Sequence, residues 1–269
     1  MLASVLVPLI SVMMRKQRPI VSHHLQRLQP GLRGRELRRA VQKSYQSYAR
    51  YYIETFRLPA LNAKKIQAGV EITGFEHIQS GLARGKGVIL ALPHLGGWEW
   101  SGRWLIQQGH QLNAVVEKLE SRELFEMFTN LRKSYGVTVI ALDDQAGVAV
   151  QNALAKNEIV ALLADRDIAR TGIEVEFFGE KTTIPAGPAF FALRTGAALV
   201  PLATYFTNRL DGHATVVRPE IVVERLGTLR QDMNRVAQSL ANELEFLIRR
   251  EPIQWHLFQP NWPSDPGFN

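Results

Sequence analysis

Residues 87–109 read GVILALPHLGGWEWSGRWLIQQG, and the fold is decided here. GVILALP is a short, unbroken apolar run, the pattern of a strand covered on both faces. Gly96 and Gly97 interrupt it, and from Trp98 the sequence reads as a helix that stops at Gly109, glycine being the common residue just past a helix end. The alternation then repeats. GVEITG (69–74), LNAVVE (112–117), VTVIAL (137–142), IVALLAD (159–165), IEVEFF (173–178), ALVPLATYF (198–206) and ATVVRPEIVV (214–223) read as strands. SRELFEMFTNLRKSYG, AGVAVQNALAKN and AGPAFFALRTG read as helices between them, and a last amphipathic helix falls near 228–249. Such alternation predicts an α/β fold: a single domain, with a mainly parallel central β-sheet and helices on both faces. The tail QWHLFQPNWPSDPGFN, rich in Pro and Trp, reads as ordered coil wrapping the body.

The chain has 269 residues, enough for one α/β domain with a well-buried core. It contains no Cys, which removes disulfides, thiolate metal sites and an acyl-cysteine intermediate. Its net charge of +7 is concentrated at one end. Residues 1–57 carry eleven Lys and Arg against only Glu36 and Glu54, so this segment is +9 and the remainder −2. Within it, RELRRAVQKSYQSYARYYIETFR (35–57) sets Leu37, Val41, Tyr45, Tyr48, Tyr52 and Phe56 at helical spacing against an Arg-rich face. The preceding MLASVLVPLISVMM is too short for a membrane span, for which about 20 apolar residues are needed. It also lacks the charged start and cleavage site of a secretory signal. It suits either a helix lying in the membrane interface or one capping the protein's own core. Two segments are therefore expected: a helical, basic, membrane-associating flank over 1–57 and an α/β domain over 58–269.

Several chemistries are absent from the sequence. There is no G-x-S-x-G nucleophile elbow, no phosphate-binding loop of the right spacing, no G-x-G-x-x-G after a strand and no H-E-x-x-H. No nucleic-acid module accompanies the basic flank, so nucleic acid is not an expected partner. The adjacent His23 and His24 read as solvated residues of that flank.

His94 is the residue that carries chemistry. It stands just past the carboxyl end of a buried strand, the edge where parallel α/β sheets bind ligands. Gly96 and Gly97 allow a tight turn, and Glu99 falls in the first turn of the following helix. In one continuous helix, residues 94 and 99 would face about 140° apart; the strand–turn–helix bend brings both toward one cleft. A histidine beside carboxylates is the usual general base near neutral pH. With no Cys and no elbow Ser, the simplest reaction is direct attack of a hydroxyl, deprotonated by His94, on an activated acyl group.

His94-Leu-Gly-Gly-Trp-Glu99 resembles the H-x4-D/E motif of the glycerolipid acyltransferase superfamily. ALPHLGGWEWSG is similar to the lipid A biosynthesis branch, and within it most similar to the actinobacterial phosphatidylinositol mannoside acyltransferases. The likeness continues through YQSYARYYIETFRLP (45–59), LRKSYG (131–136), LLADRDIARTGIEVEFFGEKTTIPAGPAFFALRTGAALVP (162–201) and QWHLFQPNWPSD (254–265). The resemblance implies His94 as general base, and Glu99 as the motif acid, orienting His94 or positioning the acceptor. It implies a phosphate-binding role for Arg132, and Asp167 as the acid that completes the acid–His pair. Asp165 is then left beside Arg166 as a structural pair at the substrate-binding edge. Glu174 and Glu176 read as the exposed face of an edge strand, and TTIPAGPA (182–189) as a helix start able to present N–H groups to an anion. The activity implied is O-acyl transfer from acyl-CoA to a mannose hydroxyl of an anionic membrane glycolipid. It would be peripheral at the cytoplasmic face of the plasma membrane and need no metal or redox cofactor. A transferase of lipid A type using acyl-carrier protein and a non-catalytic lipid-binding protein are the alternatives.

Overall fold

A computed structural model describes residues 15–118, 121–167 and 169–268. The apolar run 1–14 lies outside them. Seven strands form one sheet in the order β1-β9-β8-β2-β5-β3-β4. They are β1 (Val70–Thr73), β2 (Val88–Leu92), β3 (Leu112–Val116), β4 (Thr138–Ala141), β5 (Ile159–Leu163), β8 (Ala198–Phe206) and β9 (His213–Val217). The five strands from β8 to β4 run parallel. β9 returns antiparallel beside β8 and carries β1 parallel to itself.

Side-chain alternation along these strands builds a core on each face. Ile89 and Ala91 of β2, Val160 and Leu162 of β5, and Leu199 and Ala203 of β8 point to one side. They meet α7 (Ala146–Ala155), α8 (Gly187–Thr195) and α9 (Leu229–Arg250). Val88, Leu90 and Leu92, with Ala198, Val200 and Leu202, point to the other. They meet α3 (Ala63–Ala68), α4 (Phe75–Ala83) and α5 (Trp98–Gln107). Because both faces are covered, every residue of β2 and of β8 is buried, as the unbroken apolar runs require.

The basic flank folds as two helices, α1 (Arg18–Leu28) and α2 (Gly34–Arg57). They share an apolar cluster with the C-terminal tail, where Val21, Leu25, Val41 and Tyr45 meet Phe258. His23 and His24 are not solvated residues of a free flank. Both bond Asp265 of the tail, at 2.7 and 2.8 Å, and His24 is buried. A strand pattern starting at residue 214 continues in sequence to 223, but β9 ends at Val217. There the Arg218 N–H still reaches the Pro201 carbonyl, but Pro219 offers no donor to carry the ladder on. β6 (Ile173–Phe177) does not join the main sheet: it pairs antiparallel with β7 (Glu180–Ile184) in a separate hairpin. Glu174 and Glu176 lie on its exposed face. The helices α3 and α4 have no counterpart in the periodicity of the sequence.

Candidate active site

β2 delivers His94 to the carboxyl edge of the sheet, and the turn that follows is possible only with glycine. Gly96 has φ +62°, and a Cβ there would fall 2.0 Å from the Thr204 carbonyl oxygen. A Cβ on Gly97 would come within 2.8 Å of the His213 and Phe206 rings. Both backbone N–H groups are used, Gly96 donating to Gln254 O and Gly97 to Thr204 O, each at 3.0 Å. The turn is thus fastened to β8 and to the tail before α5 begins at Trp98.

Asp165 is the acid at His94. Its Oδ1 lies 2.7 Å from His94 Nδ1, while Oδ2 accepts the His94 backbone N–H at 3.0 Å and the Trp255 indole N–H at 2.7 Å. Burial alone would raise the Asp165 carboxyl, but the charge and hydrogen bond of His94, with the other two donors, hold it below the usual carboxylate range. An ionised Asp165 fixes a proton on Nδ1 and leaves the lone pair of the neutral ring on Nε2. That nitrogen has no hydrogen-bond partner among the described residues, and the side chain is 17% exposed.

Two buried histidines are also paired with carboxylates, but their rings are closed. His213 contacts Glu54 at 2.7 Å and the Gly69 carbonyl at 3.2 Å. His24 contacts Asp265 at 2.8 Å and the Leu257 carbonyl at 3.1 Å. Both nitrogens are engaged in each. His94, unlike these two, keeps a nitrogen for chemistry.

The expectation that Asp167 partners His94 is corrected by register. β2 and β5 pair Leu92 with Leu163, and the Ala164 N–H continues the ladder to Leu92 O at 2.8 Å. Two further residues along each strand set Asp165 across from His94. By residue 167 the chain has turned away, and Asp167 Oδ2 accepts the Gly172 N–H at 2.7 Å instead. Arg166 does not pair with Asp165 either. Its guanidinium donates to Glu117 at 2.8 Å and to Gln259 at 3.1 Å.

Glu99 also departs from the expected cleft. It makes no bond to His94. Its Oε1 accepts Arg132 Nε at 3.0 Å, Arg132 Nη2 at 2.5 Å and the Tyr51 hydroxyl at 3.2 Å. Its Oε2 accepts the Tyr135 hydroxyl at 2.7 Å. Burial would raise this carboxyl, but the Arg132 charge and these hydrogen bonds outweigh it and hold it low. Burial likewise acts to lower Arg132, and Glu99 more than offsets it. Glu99 therefore ties together α2 through Tyr51, α5, and α6 (Arg122–Lys133) through Arg132. Arg132 is on a helix as the sequence predicts, but half of its fork is committed to Glu99.

The three tryptophans of the turn divide between packing and wall. Trp100 is buried, donates to Ile66 O at 3.1 Å and stacks on His213 with centroids 4.4 Å apart. Trp104 donates to Gln67 at 2.8 Å. Trp98 lies between Tyr51 at 4.3 Å and the His94 ring at 5.9 Å, and so borders the site.

The tail supplies partners that residue spacing did not reveal. Besides Trp255, His256 donates its backbone N–H to the His94 carbonyl at 2.7 Å. Its ring is buried near Tyr48, Tyr51 and Trp98, with Nε2 2.9 Å from Ser47 Oγ. Burial, reinforced by the nearby His94, pushes this imidazole down to about 3, so it is neutral at physiological pH. Trp255 and His256 lie inside QWHLFQPNWPSD, but nothing in their spacing separates them from packing residues.

The cations from α1 to the end of α2 include two contrasting sets. Arg27, Arg50 and Arg57 are consumed by Glu180, Glu54 and Asp211. Arg33, Arg35, Arg38, Arg39 and Lys43 are exposed and have no acidic partner among the described residues. No helix among the described residues is long and apolar enough to cross a membrane.

A parallel sheet whose edge presents an acid-paired histidine with one free nitrogen is an arrangement suited to acid–base chemistry. A profile of the bacterial lipid A biosynthesis acyltransferases matches residues 4–264, and the chain belongs to that family; it is an acyltransferase. It is 38% identical over 227 residues to the phosphatidylinositol mannoside acyltransferase of Mycobacterium tuberculosis strain H37Rv, covering 82% of this chain and 70% of that one. The protein of the same name from Mycolicibacterium smegmatis is 37% identical over 228 residues, 84% and 73% of the two chains. The lipid A biosynthesis acyltransferase of Haemophilus influenzae is 24% identical over 245 residues, 90% and 74%.

Proposed function

We propose that this acyltransferase moves a long-chain acyl group from acyl-CoA to a mannose hydroxyl of a phosphatidylinositol mannoside, with His94 as general base and Asp165 as its relay acid. The observation that carries this is the ionised, fully buried Asp165 on His94 Nδ1, with Nε2 left free. His94 Nε2 takes the hydroxyl proton as the sugar oxygen attacks the thioester carbonyl. The carbon–oxygen bond forms, the tetrahedral intermediate collapses, the carbon–sulfur bond breaks, and the imidazolium returns its proton to the leaving thiolate. Asp165 stabilises the imidazolium in between. The names of the mycobacterial relatives support the acceptor class.

Glu99 and Arg132 act beside the reacting atoms as a rigid wall, with Arg132's remaining N–H groups directed to a phosphate of donor or acceptor. The exposed Arg33, Arg35, Arg38, Arg39 and Lys43 hold the enzyme peripherally at an anionic leaflet, the cytoplasmic face of the plasma membrane. Each contributes about 1 kcal/mol near such a surface.

The test is a purified-enzyme assay offering acyl-CoA or acyl-carrier protein with mannosylated phosphatidylinositol, read by mass. An acylated glycolipid with acyl-CoA supports the reading. Transfer only from carrier protein replaces the donor, and thiol release without an acylated lipid makes the protein a thioesterase.

A further inference from the structure

A cavity of about 210 Å³ lies between the β6–β7 hairpin and the C-terminal tail, and acyl transfer as derived above makes no use of it. Its walls include Asp167, Arg170, Lys181, Thr183, Asn261 and Phe268. We propose that it is a second acceptor subsite, holding a polyol ring of the glycolipid head group other than the ring that is acylated. This rests on the acceptor being a multi-ring glycolipid, as read above.

Position is the first argument. Asp167 is two residues past the His94 partner Asp165, so its Cα lies within about 7 Å of that of Asp165 even on an extended chain. One wall of the cavity therefore begins within two residues of the relay acid, on the segment that leaves the carboxyl end of β5.

An unmet donor is the second. Asn261 is 5% exposed, and its backbone is satisfied: the N–H donates to Asp265 at 2.7 Å and the carbonyl accepts the Thr182 hydroxyl. Its side-chain Nδ2, however, is buried with no hydrogen-bond partner among the described residues. A buried amide donor is costly to leave unmet, and a bound acceptor would satisfy it. A sugar hydroxyl is an acceptor of the right strength and size.

The charge balance selects the ligand class. Glu174 and Asp167 offset Lys181 and Arg170 in the lining, and Lys181 is already 2.9 Å from Glu174. Such a cavity has no net attraction for a free phosphate or a nucleotide. It offers a carboxylate, an amide and the Thr183 hydroxyl around the ring of Phe268 and two prolines, matching a neutral molecule with hydroxyls at its rim and C–H groups on its face. The Phe268 ring is held in place by Arg170, whose guanidinium carbon lies 3.8 Å from the ring centroid and whose backbone adopts φ +54°.

The experiment compares two acceptors with acyl-CoA as donor: a phosphatidylinositol mannoside and octyl α-mannoside, which has a single ring. Asn261→Leu and Thr183→Val are measured in the full chain beside the wild type, with thermal melts as a check on folding. The subsite predicts a KM for the glycolipid raised about tenfold, unchanged kcat, and unchanged kinetics on octyl mannoside. If Asn261→Leu does not fold, Thr183→Val, on the cavity wall, decides alone. Unchanged KM on both acceptors overturns the subsite while leaving the acyl-transfer reading intact, and so does an equal loss on both. No transfer by the wild type to either acceptor overturns both.

Discussion

Asp165 meets the chain just before the Gly96-Gly97 turn and Glu99 just after it. Both carboxylates are buried, both are held ionised against the cost of burial, and each accepts at least three hydrogen bonds. The difference is the partner. Asp165 faces an imidazole, which can gain and lose a proton and presents its second nitrogen outward. Glu99 faces a guanidinium that stays charged, with two tyrosine hydroxyls filling its remaining sites. In the proposed reaction the first arrangement moves a proton and the second builds a wall. A motif that names both a histidine and a nearby acid does not say which acid the histidine uses.

The contrast breaks most sharply at Asp165. Asp165→Asn should keep the contact but remove the charge that stabilises the imidazolium, lowering kcat on the order of 10²- to 10⁴-fold, with His94→Ala falling at least as far. Thermal midpoints close to wild type for His94→Ala would accompany this. Near-wild-type turnover in either variant would refute the relay. Glu99→Gln should show the reverse pattern. It leaves Arg132 buried and uncompensated, at a cost of about 3–5 kcal/mol in denaturant unfolding. Turnover lost with an unchanged unfolding midpoint would make Glu99 part of the chemistry.

His256 sharpens the comparison through pH, since it sits against the His94–Asp165 pair. Its folded-state pKa is depressed from 6.5 to about 3. Between those values the unfolded chain binds a proton that the folded chain refuses, so stability falls as pH falls through that window, by about 1.4 kcal/mol per unit. His256→Gln should flatten the urea-unfolding midpoint between pH 6.5 and 4.5 relative to wild type. Asp165 and Glu99, whose pKa values are lowered, contribute stability that is lost only further down, as pH falls below the ordinary carboxylate range. Parallel wild-type and variant slopes would contradict a neutral buried His256. The smallest effect belongs to the outer arginines. Unlike Arg132, Arg38 has no carboxylate partner among the described residues, and Arg38→Gln should weaken binding to anionic vesicles by about 1 kcal/mol while leaving stability unchanged; unchanged partitioning would remove it from the membrane surface.

Much of the architecture was legible because it is local. Unbroken apolar runs such as GVILALP exist only where both faces of a strand are covered, and glycines at 109, 136 and 196 mark helix ends by their backbone freedom. The β6–β7 hairpin was half missed, since EKTTI carries little apolar signal and is a strand only because IEVEF pairs with it. The burial of His24 on α1 was not legible, because a polar residue in a basic flank reads as solvated and its partner lies 241 residues away.

The sequence by itself determined the fold class, the place of His94 at the end of a buried strand, and the need for glycine after it. These follow from hydrophobic period and backbone sterics. Only the tertiary structure decided between Asp165 and Asp167. Residues two apart in an extended chain share a face, so no periodicity separates them; the β2–β5 register does, by setting Asp165 across from His94. The same holds for Glu99, Trp255 and His256. Their roles depend on which long-range partner reaches them, and hydrogen bonds between distant segments leave no trace in spacing.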